Sequence, residues 1–167
     1  HLLDSGALYR LVALAGSQQG VAADDQDGHA AIARALDVQF GMDEAGDERL
    51  LLAGTDVTHA IRTETAGAAA PRAAAMPPVR SALLARQHAF ARPPGLVADG
   101  RDMGTVVFPG APLKVYLTAS PEERARRRHK QLKEKGLTVT IAGLSQEIRE
   151  RDLRDSSRPV APLRPAE

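Results

Sequence analysis

Cysteine is absent from this 167-residue chain, and so is tryptophan. The first absence excludes disulfides and thiolate metal sites, which fits a reducing compartment, so a cytoplasmic location is expected. Aromatic residues are few: Phe40, Phe90, Phe108, Tyr9 and Tyr116. A surface that stacks successive bases usually carries more. Positive and negative charges nearly cancel, with a formal net charge of +1, which argues against a general polyanion-binding role. No apolar run approaches the ~20 residues that span a bilayer, and no stretch reads as a signal peptide. Neither a nucleic-acid nor a membrane partner is therefore expected. One further absence is specific: no glycine-rich phosphate loop of the form G-x-x-x-x-G-K-[ST] occurs anywhere.

Three segments carry arginine and aspartate together. They are Leu2 to Arg10, Ala98 to Thr105 (with Asp99-Gly100-Arg101-Asp102) and Glu150 to Arg158. Each sits where an ordered element is expected to begin or end. Arginines offer planar forks of donors to phosphate, and carboxylates accept from sugar hydroxyls. That pairing suits a mononucleotide better than a duplex or a membrane. The length suits one compact domain with a small inserted subdomain. At His1 an apolar-then-Asp-Ser pattern is already under way, and Ala161 to Glu167 close no recognisable element. Both ends of a longer protein are expected to be missing.

Along the chain, Ser5 reads as a helix N-cap. Leu8, Leu11, Val12 and Ala15 follow at helical spacing. Arg10 lies far from that stripe, free to face a cleft. Gln18 to Gly28 reads as a loop and Ala30 to Leu36 as a short helix. Residues 37–58 read as short antiparallel strands around a turn-rich segment. Thr63 to Ala75 is alanine-rich and helical, with a kink or break expected at Pro71. Pro77 and Pro78 suit the first turn of a helix running to about Ala91, with Val79, Leu83 and Phe90 buried. Leu96-Val97-Ala98 and Leu113 to Thr118 read as buried parallel strands. Ser120-Pro121-Glu122-Glu123 is a strong helix start, and that helix runs to Lys135 and stops at Gly136. A last helix covers about Leu144 to Asp155. Strands alternating with helices imply an α/β fold.

Asp99, Arg101 and Asp102 follow an apolar strand, where α/β sheets bind ligands; the alternative is a solvated turn. Arg151 and Asp155 are four apart on one helical face, and taken alone they read as a surface ion pair. Arg158 follows beyond the helix. The run Arg124, Arg126, Arg127, Arg128 and Lys130 is either the wet face of a helix or a mobile cover that reaches a phosphoryl group. His29, His59, His88 and His129 read as surface residues, with no metal-type spacing.

At these segments the chain resembles the bacterial cytidylate kinases of the nucleoside monophosphate kinase group. The resemblance covers nearly the whole chain. It is most specific at His1 to Arg10, Val79 to Gln87, Ala98 to Pro109 and Glu150 to Leu163. It implies a P-loop NTPase-like α/β core with a parallel sheet, incomplete here, an antiparallel insert and a short helical lid. The implied organisation is a core helix start at 1–17, a monophosphate-binding domain at 18–92, core strands at 93–122, a lid at 123–145 and a core helix and tail at 146–167. The implied reaction is phosphoryl transfer from ATP to CMP or dCMP, with Mg²⁺ as cofactor, by a monomer. Carried over, Arg10, Arg101 and Arg158 hold the acceptor phosphate. Asp102, Arg151 and Asp155 serve the sugar and the charge network, with Arg101, Arg158 and Asp102 closest to the chemistry. Ser5 and Arg80 contact the base, and Arg127 and Arg128 belong to the lid.

Two departures stand out. Where the family places a serine that reads the base, this chain has Pro71, so selection of CMP over UMP falls to Ser5 and Arg80. The phosphate loop and its lysine are also absent from this sequence, and without them turnover is not expected. The rival readings are a kinase for another monophosphate such as UMP, and a non-catalytic nucleotide- or RNA-binding module.

Overall fold

The computed structural model describes residues 1–134 and 136–166, and of residues 64, 65 and 68 the backbone only. The chain forms two compact units, His1–Gly100 and Arg101–Glu167.

In the first unit, strand β1 (Leu2–Asp4) leads directly into helix α1 (Ser5–Gln18). Asp4 caps that helix: its Oδ1 accepts from the Ala7 N–H at 3.0 Å. The cap therefore falls one residue before the expected Ser5. Asp4 keeps extended backbone angles as the end of β1, whereas Ser5 is already helical. Leu8, Leu11 and Val12 are fully buried along α1, as their spacing requires. Helix α2 (Gln26–Ala35) starts earlier than expected, because the Asp25 carboxylate accepts from the Gly28 N–H and supplies a cap within the polar stretch. His29 is buried on α2, not on the surface as the sequence suggested. Its Nδ1 lies 2.7 Å from the Asp25 carbonyl, which satisfies the ring inside the fold. A Cβ at Gly16 would lie 2.7 Å from His29 Nε2, so the missing side chain on α1 makes room for the imidazole.

Strands β2 (Val38–Met42), β3 (Glu48–Leu52) and β4 (Thr55–Asp56) form an antiparallel meander in that order, as expected for residues 37–58. Phe40 faces Leu50 across the ladder and meets Phe90 edge-on, ring centroids 5.5 Å apart. Helix α3 (Glu64–Ala75) is capped by Thr63 and passes through Pro71 without ending. The expected break is overridden by packing: Ala66 and Ala73, on either side of the proline, are buried, and α3 lies against α1. Helix α4 (Pro77–Ala89) opens on two prolines and buries Val79, Leu83 and Gln87 against α2. The unit closes with β5 (Val97–Asp99), parallel to β1 with Leu3 opposite Ala98. This strand is present as expected but not buried: Val97 is 69% exposed.

In the second unit, Met103–Val107 forms a π-helical turn. Both Val106 and Val107 donate to the Asp102 carbonyl. The strand expected at Leu113 to Thr118 does not form, and Leu117 is 88% exposed. A parallel strand needs a ladder partner and two covered faces, and among the described residues of this unit there is no strand to pair with. Helix α5 (Pro121–Glu134) begins where Ser120 Oγ accepts from the Glu123 N–H. The expected last residue, Lys135, lies outside the described residues. Gly136, at φ +75°, makes the left-handed turn that stops the helix. Helix α6 (Ile141–Ser157), capped by Thr140, packs on α5. It is longer at both ends than the expected span.

The β3–β4 turn is strained at one residue. Leu52 pairs with Thr55, so Ala53 and Gly54 form a two-residue turn with φ of +48° and +77°. This is the primed geometry that asparagine or glycine adopts more readily than alanine. Replacing Ala53 with Asn should stabilise the protein by roughly 0.5–1 kcal/mol, read as a higher urea midpoint with an unchanged slope. A lower midpoint would contradict the turn assignment.

Candidate functional site

The densest charge assembly in the second unit surrounds Asp155, near the end of α6. Arg101 Nε donates to Asp155 Oδ2 at 3.0 Å. Arg151 Nε lies 3.8 Å from the same oxygen, and Arg158 Nη1 lies 4.0 Å from Oδ1. Three guanidinium groups, one from the Ala98 to Thr105 segment and two from the end of α6, thus converge on one carboxylate. Helical spacing brings Arg151 and Asp155 to one face, and the helix end turns Arg158 back toward them. Arg158 donates its Nε to the Asp155 carbonyl, and its Nη2 is buried with no hydrogen-bond partner among the described residues. A buried, charged donor left unpaired is costly unless an anion completes it. Asp102 is buried at the head of the π-turn, a distortion of helical geometry common at functional sites. Of the residues expected at the phosphate and the sugar, the structure brings Arg101, Arg151, Asp155 and Arg158 together here, while Arg10 belongs to the first unit.

One helical turn before Asp155, Asp152 is held by Arg124 of α5. Arg124 Nη1 donates to Oδ1 at 2.9 Å and Nη2 to Oδ2, a bidentate fork. A hydrogen bond from Arg124, then its charge, with those of Arg101 and Arg151, hold the Asp152 carboxyl below its ordinary range. In the sequence Arg124 reads only as part of a basic run and Asp152 carries no signal; with the two 28 positions apart, no local pattern marks the fork. Arg149 of α6 pairs with Glu122 of α5 as a second tie. Farther along α5, Arg126 and Arg127 share Glu123, while Arg128 is exposed.

In the first unit, Arg10 is half-buried and its Nη1 donates to the Ile61 carbonyl at 3.1 Å. Ser5 is buried at the first turn of α1, and Tyr9 follows one turn on, on the same face. The Arg80 guanidinium lies 5.9 Å from the Tyr9 ring centroid and reaches the Ala74 carbonyl of α3. Ser5 and Arg80 were expected to act together. Tyr9 was missed as the ring against which Arg80 rests, since an i, i+4 spacing from Ser5 does not reveal a partner on another helix. Pro71 is exposed on α3, three residues before Ala74. A cavity of about 460 Å³ beside β2, lined by residues such as Leu2, Phe40, Met42 and Phe90, contains none of these groups.

Among the described residues no cluster of three or more His, Asp or Glu side chains is arranged to hold a metal ion. No helix of these residues is long and apolar enough to cross a membrane.

The family model described as cytidylate kinase matches residues 1–167. The chain belongs to the cytidylate kinase family. It is 60% identical to the cytidylate kinase of Stutzerimonas stutzeri, over all of this chain and 73% of that protein. It is 59% identical to the cytidylate kinase of Pseudomonas paraeruginosa over the same shares. A cytidylate kinase of a Marinomonas species is 56% identical over 99% of this chain and 73% of its own length. The α/β architecture, with one parallel and one antiparallel sheet, agrees with the P-loop NTPase-like fold that membership implies.

The lowered Asp152 carboxyl has a consequence for acid stability. A depressed folded value means that the Arg124–Asp152 pair contributes fully above the unfolded value, about 3.9, and is lost as pH falls through the folded value. Stability measured by urea unfolding should therefore drop on acidification below about pH 4. Asp152→Asn should flatten that acid limb. An unchanged slope in the variant would show that the pair is not responsible.

Proposed function

We propose that the protein catalyses ATP-dependent phosphorylation of CMP or dCMP to the diphosphate. Family membership supports this reading, and one structural observation supports the site: three guanidinium groups share Asp155 while a buried N–H of Arg158 is left without a partner. The acceptor phosphate completes that N–H, with Arg101 and Arg158 as its ligands. The resemblance adds Arg10 as a further phosphate ligand, Asp102, Arg151 and Asp155 for the sugar and the charge network, and Arg127 and Arg128 for the lid.

The reaction is an in-line displacement. An oxygen of the acceptor phosphate forms a bond to the γ-phosphorus, the bond from that phosphorus to the β,γ-bridging oxygen breaks, and ADP leaves. The attacking oxygen is already ionised, so no general base is required. The arginines offset negative charge that spreads over the transferring group, in positions fixed before the reaction begins. With no carboxylate cluster among the described residues to bind a metal by itself, Mg²⁺ would depend chiefly on nucleotide oxygens. The rival reading as a nucleic-acid-binding module has less support, since charge is balanced and aromatics are scarce.

Base recognition rests on Ser5 and on Arg80, which is poised over Tyr9. Pro71 supplies no hydroxyl on α3. Selection between cytosine and uracil therefore depends on fewer donors, and UMP should be a measurable substrate of the complete gene product, with CMP and dCMP preferred. A panel of kcat/KM values for CMP, dCMP and UMP tests this; a preference for UMP would reassign the substrate. Arg101→Ala or Arg158→Ala should lower kcat/KM for CMP by roughly 2–4 kcal/mol of transition-state stabilisation, the scale of losing one preorganised donor. Wild-type values in either variant would remove the phosphate site from this cluster.

A further inference from the structure

Asp152 and Asp155 stand one helical turn apart on α6, yet they have different partners. Asp155 collects Arg101, Arg151 and Arg158. Asp152 is held by Arg124, which donates to both carboxylate oxygens with a fork from α5. The two sites are not electrically separate, because the charges of Arg101 and Arg151 also act on Asp152. Each of those arginines therefore has two acidic groups within its field. A carboxylate there with no partner of its own would draw their outer N–H groups away from a bound anion.

We propose that Arg124 is a positioning residue that neutralises Asp152, so that Arg101 and Arg151 stay directed at Asp155 and the acceptor phosphate. The inference rests on the reading of that cluster as the acceptor-phosphate site. It assigns Arg124 no contact with substrate. Its role is to remove a competitor, which differs from merely fastening α5 to α6. The fork geometry favours this over a loose tether, since both oxygens are taken by one planar group, as arginine permits and lysine does not. The separate Arg149–Glu122 pair also joins the two helices, about half exposed, without a carboxylate in the cluster.

The two roles differ in their response to double substitution. If Arg124 silences a competing carboxylate, removing that carboxylate as well should cure the loss. If it only fastens the helices, Asp152→Asn should harm as much as Arg124→Met, and the double variant no less. The experiment measures the Kd of CMP by calorimetry, without ATP, for the complete gene product and its variants, with thermal unfolding as a check on folding. Arg124→Met should weaken CMP binding about tenfold, the scale of one charge-assisted contact. Asp152→Asn should stay within about twofold of wild type, and Arg124→Met/Asp152→Asn should return to within about threefold. Arg149→Met, which cuts the other tie, should leave Kd unchanged.

Equal losses in Arg124→Met, Asp152→Asn and the double variant would overturn the proposal, as would an unaffected Arg124→Met. Should Arg124→Met fail to fold, Asp152→Asn still decides: a loss beyond about fivefold contradicts the competitor role. Failure of the wild-type protein to bind CMP would instead reject the substrate reading, a result separate from any pattern among the variants.

Discussion

Like charges do not gather without a counter-charge, and in this protein Asp155 supplies it. Arg101, Arg151 and Arg158 repel one another, and water would otherwise keep them apart. One carboxylate of low exposure on α6 holds them within 4.0 Å of its oxygens. The pairing is not there for stability, since ion pairs this close to the surface contribute little net free energy. Its effect is geometric. Guanidinium groups that share an acid on one side keep their remaining donors in fixed directions on the other. An anion arriving there meets donors whose ordering cost was met during folding, and the same preorganisation makes charge stabilisation effective in phosphoryl transfer.

The rest of each unit serves such placement. In the second unit, α5 and α6 pack with little apolar burial beyond Ala125 and Leu144. Polar ties, Arg124 to Asp152 and Arg149 to Glu122, therefore add register to a thin hydrophobic contact. In the first unit the balance is reversed. Leu8, Leu11, Val12, Val79 and Leu83 form a close-packed apolar core, and the meander is pinned by Leu50 and Val57. That rigidity lets α1 present Ser5, Tyr9 and Arg10 from one short helix, and lets α3 and α4 bring a carbonyl and Arg80 together.

Much of this was legible in the sequence, for identifiable reasons. The starts of α4 and α5 followed from their prolines, and α4 began at Pro77 as read, whereas the caps Asp4, Asp25 and Thr140 were not. The meander over residues 37–58 followed from alternation and turn residues. Arg10, Arg101 and Arg158 stood out because all three were read at element ends, whereas Arg151 by itself read as half of a surface ion pair. What failed to read through was nonlocal. Pro71 looks like a breaker until burial of Ala66 and Ala73 on α1 is known. Leu113 to Thr118 has the composition of a buried strand, but a strand is defined by its neighbour, and composition does not supply one. His29 looked like a surface residue because nothing in its flanking sequence shows that Gly16 leaves a space for its ring. The Asp152 fork was invisible for the same reason: its partner lies on another helix.

Charge balance connects the fork to the site. Among the six side chains at 101, 124, 151, 152, 155 and 158, four are cationic and two anionic, an excess of two positive charges. A phosphate monoester near neutral pH carries about −1.5 to −2, so on the proposed reading an acceptor bound there would offset most of that excess. With fewer arginines, the ester would meet acids that repel it. With fewer acids, the empty site would be an unscreened cationic patch, open to any anion and costly to hold together. On the proposed reading, the two aspartates set how strongly the cluster attracts charge as well as where its donors point. One acid is shared among three arginines and the other is held by a fork from α5, so the same helix carries both.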